Sequence, residues 1–171
     1  MEAEDQRVLK ELVERGELGG PQTYHPRMKA VHEKNNARIK AIIREYGWPG
    51  FSMVGKEGSK AAWLIVQHAV LDTDFMEEAM ILLSRAVANN EAEGWCLAYL
   101  QDRMLTMVGQ PQIYGTQHDV DVNGVAYALP IANPDRVDVL RREVGLEPLR
   151  EATKRIQARH NAASGKRTSD R

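Results

Sequence analysis

Residues 59–71 read Ser-Lys-Ala-Ala-Trp-Leu-Ile-Val-Gln-His-Ala-Val-Leu. The run from Ala61 to Leu71 is apolar nearly all round. As a helix it has no face to give to water, so it belongs at the buried centre of a bundle. Gln67 and His68 interrupt it. A buried amide or imidazole without a hydrogen bond costs about 1–3 kcal/mol, so polar partners must converge on this helix from elsewhere in the chain.

The sequence on either side supplies more helices. Upstream, a helix runs from Pro26, a residue suited to a first turn, to Tyr46, with Met28, Val31, Ile39, Ile42 and Ile43 as its apolar stripe. Gly47-Trp48-Pro49-Gly50 ends it. Before it, residues 4–16 place Val8, Leu9, Leu12 and Val13 at helical spacing, and Gly19-Gly20-Pro21 breaks that helix. Downstream, Asp74 with Glu77 makes a cap pairing for a fourth helix reaching Asn89-Asn90. A fifth spans about Glu91 to Val108 and stops at Gly109. From Gln112 to Pro130 the helical stripe is lost, and Asn123-Gly124 between valine-rich flanks signals a hairpin. Helix resumes at Asn133-Pro134, ends near Gly145, and returns from Pro148 to about Asn161.

The predicted fold is mainly α: a single-domain helical bundle of six to seven helices with one small β-hairpin at about 112–130. Residues 1–25 form an N-terminal helix and linker, 26–160 the helical core, and 161–171 a disordered basic tail carrying Lys166, Arg167 and Arg171.

Composition narrows the function classes. The chain has 171 residues, 43% hydrophobic and 27% charged, an ordinary globular balance. Its one cysteine, Cys96, allows no internal disulfide and fits a reducing compartment. Beside Trp95 in a helix, it reads as core rather than nucleophile. The N-terminus is acidic where a targeting peptide is basic, and no apolar run approaches the roughly 20 residues that cross a bilayer. A cytoplasmic protein without a membrane partner is expected. A net charge of −1 without a basic face argues against nucleic acid as a partner.

Several polar residues stand where chemistry could use them. His68 is the first, because histidine titrates near neutral pH and serves as general acid or base. A core histidine satisfied by its neighbours is the other reading. Asp72, four residues on, either orients that ring or begins the next helix. On the second helix His32 and Asn35 interrupt the apolar stripe and are expected to meet Gln67 and His68. Asp102 shares a face with Trp95 and Tyr99, so its charge needs a partner. Arg103 beside it suits a carboxylate or phosphate, although a structural ion pair serves equally. The densest polar segment is Gln112-Ile113-Tyr114-Gly115-Thr116-Gln117-His118. If extended, it points Gln112, Tyr114 and Thr116 to one side, and Gly115 leaves room for a ligand or a backbone. His32, His68 and His118 lack the short spacings of zinc motifs, and no phosphate-cradling glycine loop or Gly-x-Ser-x-Gly elbow is present. Neither metal nor cofactor is expected.

Taken together, Asn35 with Ile39-Lys40 and Ile42-Ile43, Gly47-Trp48-Pro49, Gly55, Trp63, Gln67-His68, Asp102-Arg103, Gln112-x-Tyr114-Gly115-Thr116-Gln117, and Arg142 with Gly145-Leu146-x-Pro148-Leu149 resemble a bacterial family of unknown function. The resemblance covers roughly residues 28–152. It implies an autonomous, mostly helical domain characterised by these polar residues, and it implies no activity, substrate or cofactor. His32 and His118 lie outside its pattern.

The expectation for function is a small cofactor-independent enzyme acting on a small-molecule or peptide substrate by hydrolysis, elimination, cyclisation or isomerisation. His68 transfers the proton and Tyr114 donates to developing negative charge. Asp102 or Arg103 holds a charged substrate group, and Asn35, Gln67, Gln112, Thr116 and Gln117 orient the ligand. The alternative is a non-catalytic binding or interaction module, an immunity-type partner or ligand sensor, in which the same groups only hold the core.

Overall fold

The computed structural model describes residues 1–17 and 25–168, of which seven helices and one two-stranded antiparallel hairpin are the regular elements. The chain is 67% helical, so the mainly α reading holds. The Gly19-Gly20-Pro21 break lies outside the described residues. Packing divides the chain into two compact units, Met1–Ala92 and Glu93–Arg171, at a point where the sequence shows no linker.

The first unit contains α1 (Glu2–Arg15), α2 (Pro26–Tyr46), α3 (Phe51–Gln67) and α4 (Thr73–Ala88). Val8 and Leu12 of α1 pack with Met28 and Val31 of α2 in a buried cluster. Helix α2 opens with Pro26, its first-turn amide at Arg27 bonded to His25 Nδ1, and closes on Gly47 at φ 76°. A side chain is strained at such an angle.

Helix α3 touches α1, α2 and α4, as its apolar sequence requires. It differs from expectation at both ends. It begins at Phe51 rather than Ser59, and Gly55 (φ 72°, ψ 173°) separates a short first piece from the main helix. It ends at Gln67, so His68 caps the helix instead of lying within it, with its amide on the carbonyls of Leu64 and Ile65. The chain then turns, and Asp72 starts α4 by accepting from the Phe75 amide at 3.3 Å. Asp72, not Asp74, is therefore the cap. Its second oxygen pairs with Lys40.

The second unit holds α5 (Gly94–Met107), β1 (His118–Val120), β2 (Ala126–Ala128), α6 (Val137–Glu143) and α7 (Leu149–Thr168). The hairpin turns at Asn123-Gly124 as predicted, with His118 opposite Ala128 and Gly124 at φ 81°. Its strands are shorter than the sequence suggests, because residues 112–117 are not extended. Gln157 of α7 anchors β2, accepting from the Ala126 amide and donating to the Gly124 carbonyl, both at 2.7 Å. Helix α7 reaches Thr168, beyond the expected end at Asn161, through Ala162 and Ala163, which favour helix. Among the described residues no helix is long and apolar enough to cross a membrane.

Candidate functional site

Three helices of the first unit bring one carboxylate and two imidazoles together. Asp5 comes from the first turn of α1, His32 from the second turn of α2, and His68 from the cap that follows α3. His32 Nε2 lies 2.7 Å from Asp5 Oδ1, and His68 Nδ1 lies 2.9 Å from Asp5 Oδ2. The two rings stack with centroids 5.1 Å apart at 30°. Gln6 Nε2 donates to Asp5 Oδ2 at 2.9 Å.

The three side chains differ in exposure: Asp5 0%, His32 11% and His68 21%. Burial pushes the Asp5 carboxyl up, but the bonds and charges of His32 and His68 outweigh it and hold the group well below the ordinary carboxylate range. An ionised carboxylate only accepts, so His68 must present N–H at Nδ1. In a neutral ring Nε2 is then the acceptor, on the imidazole that reaches furthest toward water.

The expected meeting of α2 with the end of α3 therefore takes place, through His32. Asn35, one turn further along α2, is 1% exposed, and its Nδ2 donates to the Met1 carbonyl at 3.4 Å. Its Oδ1 is buried and finds no donor among the described residues. Gln67 is buried at the end of α3. Asp72 is occupied by its cap and by Lys40, and the orienting carboxylate is Asp5, which sequence reasoning missed. A trace of it was there: Asp5 heads the apolar line through Val8 and Leu12, at helical spacing. Ligands drawn from positions 5, 32 and 68 leave no short-spaced metal motif, yet their donor atoms all lie within 4.8 Å of one another. A cavity of about 290 Å³ elsewhere in this unit, lined in part by Trp48, Met53, Arg85 and Glu91, is bordered by none of the three.

The remaining predicted residues fall in the second unit and form a different kind of network. Asp102, fully buried on α5, accepts from the amides of Ile113 (2.7 Å), Tyr114 (3.0 Å) and Thr116 (2.9 Å). Gln112, also fully buried, donates to the carbonyls of Gln117 and Leu129 and accepts from the Gln117 amide. These bonds wind residues 112–117 into a tight loop, so Gln112, Tyr114 and Thr116 do not form a row. Gln117 Nε2 donates to Thr116 Oγ1 at 2.9 Å. Gly115, at φ 65°, makes room not for a ligand but for Leu149 and Ile131, whose methyls would lie within 3 Å of an added Cβ.

Sequence reasoning also missed Arg141, which is 1% exposed. It donates to the carbonyls of Glu147 and Tyr114, both at 2.6 Å, and of Gly115 at 3.2 Å. The signal available was its place four residues after the buried Val137 on α6, whereas Arg142 is exposed. Tyr114 is half-buried, and burial with the charges of Asp102 and Glu143 raises its phenol. Arg103 is half-buried on α5. His118 Nε2 contacts Thr153 Oγ1 at 2.9 Å, and burial lowers its imidazole despite the opposing bond to the Thr116 carbonyl.

The family model of a family of unknown function, DUF6624, matches residues 1–163, and the chain belongs to that family. No curated protein and no solved structure matches the chain.

Proposed function

Since membership of this family carries no activity with it, we propose from the site alone that the chain is a small enzyme whose reaction centre is the Asp5–His32–His68 cluster. It transfers a proton on a small polar substrate, in a hydrolysis, elimination, cyclisation or isomerisation. The observation that carries the reading is the Asp5–His68 contact: a fully buried, ionised carboxylate fixes Nδ1 of a partly exposed imidazole. This arrangement sets the tautomer and leaves Nε2 for a substrate proton. His32 Nε2 lies 2.7 Å from the other carboxylate oxygen. Asn35 ties α2 to the start of α1 through the Met1 carbonyl, and Gln67 is buried next to His68 in sequence. Tyr114, Asp102, Arg103, Gln112, Thr116 and Gln117 shape the second unit. The single cysteine, the charge balance and the lack of an apolar span among the described helices support a cytoplasmic setting and a partner that is neither nucleic acid nor membrane.

A binding or sensor module is the competing reading, favoured by how completely Asp102 and Gln112 are engaged by backbone. His68→Gln separates the two. Gln keeps a polar side chain but has no titrating nitrogen. Against a panel covering the four reaction classes, turnover by the enzyme should fall by about 10²–10⁴-fold, with stability changed by only about 1 kcal/mol. A variant that retains turnover, or that unfolds before any activity is lost, overturns the enzyme reading.

A further inference from the structure

We propose that Asp5, His32 and His68 form a binding site for one divalent first-row transition-metal ion. The inference rests on the reading that this cluster is the reaction centre, and it replaces the imidazole by an ion as the group that activates the proton.

Geometry is the first support. A six-coordinate ion with bonds of about 2.1 Å sets neighbouring ligand atoms about 3 Å apart. Here His32 Nε2 lies 2.7 Å from one Asp5 oxygen and His68 Nδ1 lies 2.9 Å from the other, and one donor atom from each of the three residues lies within 4.8 Å of the other two. Small side-chain adjustments would seat an ion with positions left open for water or substrate. The donor set is the second support. Two imidazoles and one carboxylate suit Zn²⁺, Fe²⁺ or Mn²⁺ rather than Mg²⁺ or Ca²⁺, which prefer all-oxygen sites.

Charge is the third. Asp5 is fully buried, and the groups that bond its carboxylate are the two imidazoles and the neutral Gln6 amide. A buried carboxylate needs a positive partner, and an ion supplies one whatever the protonation of the rings. The ligands also come from three separate helices, so binding would join them and stabilise the folded unit.

The test uses the untagged full chain, stripped with a chelator and titrated with Zn²⁺ by calorimetry, with Mg²⁺ for contrast. One Zn²⁺ per chain is expected, with a raised melting temperature and no comparable effect of Mg²⁺. His32→Gln and His68→Gln should each weaken binding by roughly tenfold or more. A measurement on the unaltered chain guards against variants that misfold: among the histidines, Co²⁺ should perturb the ring NMR signals of His32 and His68 most strongly. Failure to take up one ion, affinity in both variants equal to that of the unaltered chain, or no selective perturbation overturns the site. Loss of turnover in His68→Gln by a chain that binds no metal would overturn the ion and leave the proton-transfer reading standing. Tight binding without any turnover would do the reverse.

Discussion

Among the described residues, each unit of this protein buries one carboxylate completely, and the two are satisfied in opposite ways. Asp102 is surrounded by backbone amides from one loop, while Gln112 and Arg141 hold the same loop through their own bonds to backbone. The bonds of these three side chains there fix main-chain atoms. Asp5 is held by side chains, two of them imidazoles with a second ring nitrogen each. The first arrangement builds structure. The second keeps groups able to gain or lose a proton. A buried charge alone does not mark a reaction centre; what satisfies it decides.

This contrast predicts unequal responses to mutation. The largest is at Asp102. Asp102→Ala strands three loop amides, and chemical denaturation should show a loss of about 3 kcal/mol or more. His68→Gln should cost only about 1 kcal/mol. Equal losses at the two positions would erase the distinction between scaffold and site.

A smaller effect concerns acid. The folded-state pKa of Asp5 is depressed, so its contribution to stability is present above the unfolded value of about 4 and is lost as pH falls below it. Asp5→Asn should therefore flatten the acid limb of the stability curve below about pH 4. An unchanged acid limb would show that His32 and His68 do not hold the charge.

The smallest lies at His118. Burial depresses its pKa, so its neutral form is favoured in the folded chain. Stability from this group is full above the unfolded value of about 6.5 and declines as pH falls from there through the lower folded value. His118→Gln should remove that decline. If the decline persists in the variant, another group causes it.

Much of the fold was legible in the sequence, because helices and hairpin turns are written in local spacing. The apolar run at 61–71, the Pro26 start and Asn123-Gly124 each specified an element. The polar burial of Asn35, Gln67 and Asp102 was legible too, since each interrupts a patterned face. Partners were not. Asp5 reads as one acid in an acidic N-terminus until α1 packs on α2, and Asp72, nearer to His68 along the chain, was the more obvious candidate. The Gln112–Gln117 segment reads as an extended row because nothing local reveals that Asp102 gathers its amides. Arg141 looks like its exposed neighbour Arg142 until three carbonyls converge on it. Contacts between residues far apart in sequence decide these roles, and they leave only faint periodic traces.

The claim that Asp5 prepares His68 for proton transfer can be tested directly by the ring tautomer of His68. Long-range ¹H–¹⁵N correlation spectra of the metal-free chain should show the His68 proton on Nδ1 and Nε2 as the bare acceptor, with this preference lost in Asp5→Asn. A proton resident on Nε2 in the unaltered chain, or a preference unchanged in the variant, would contradict the account.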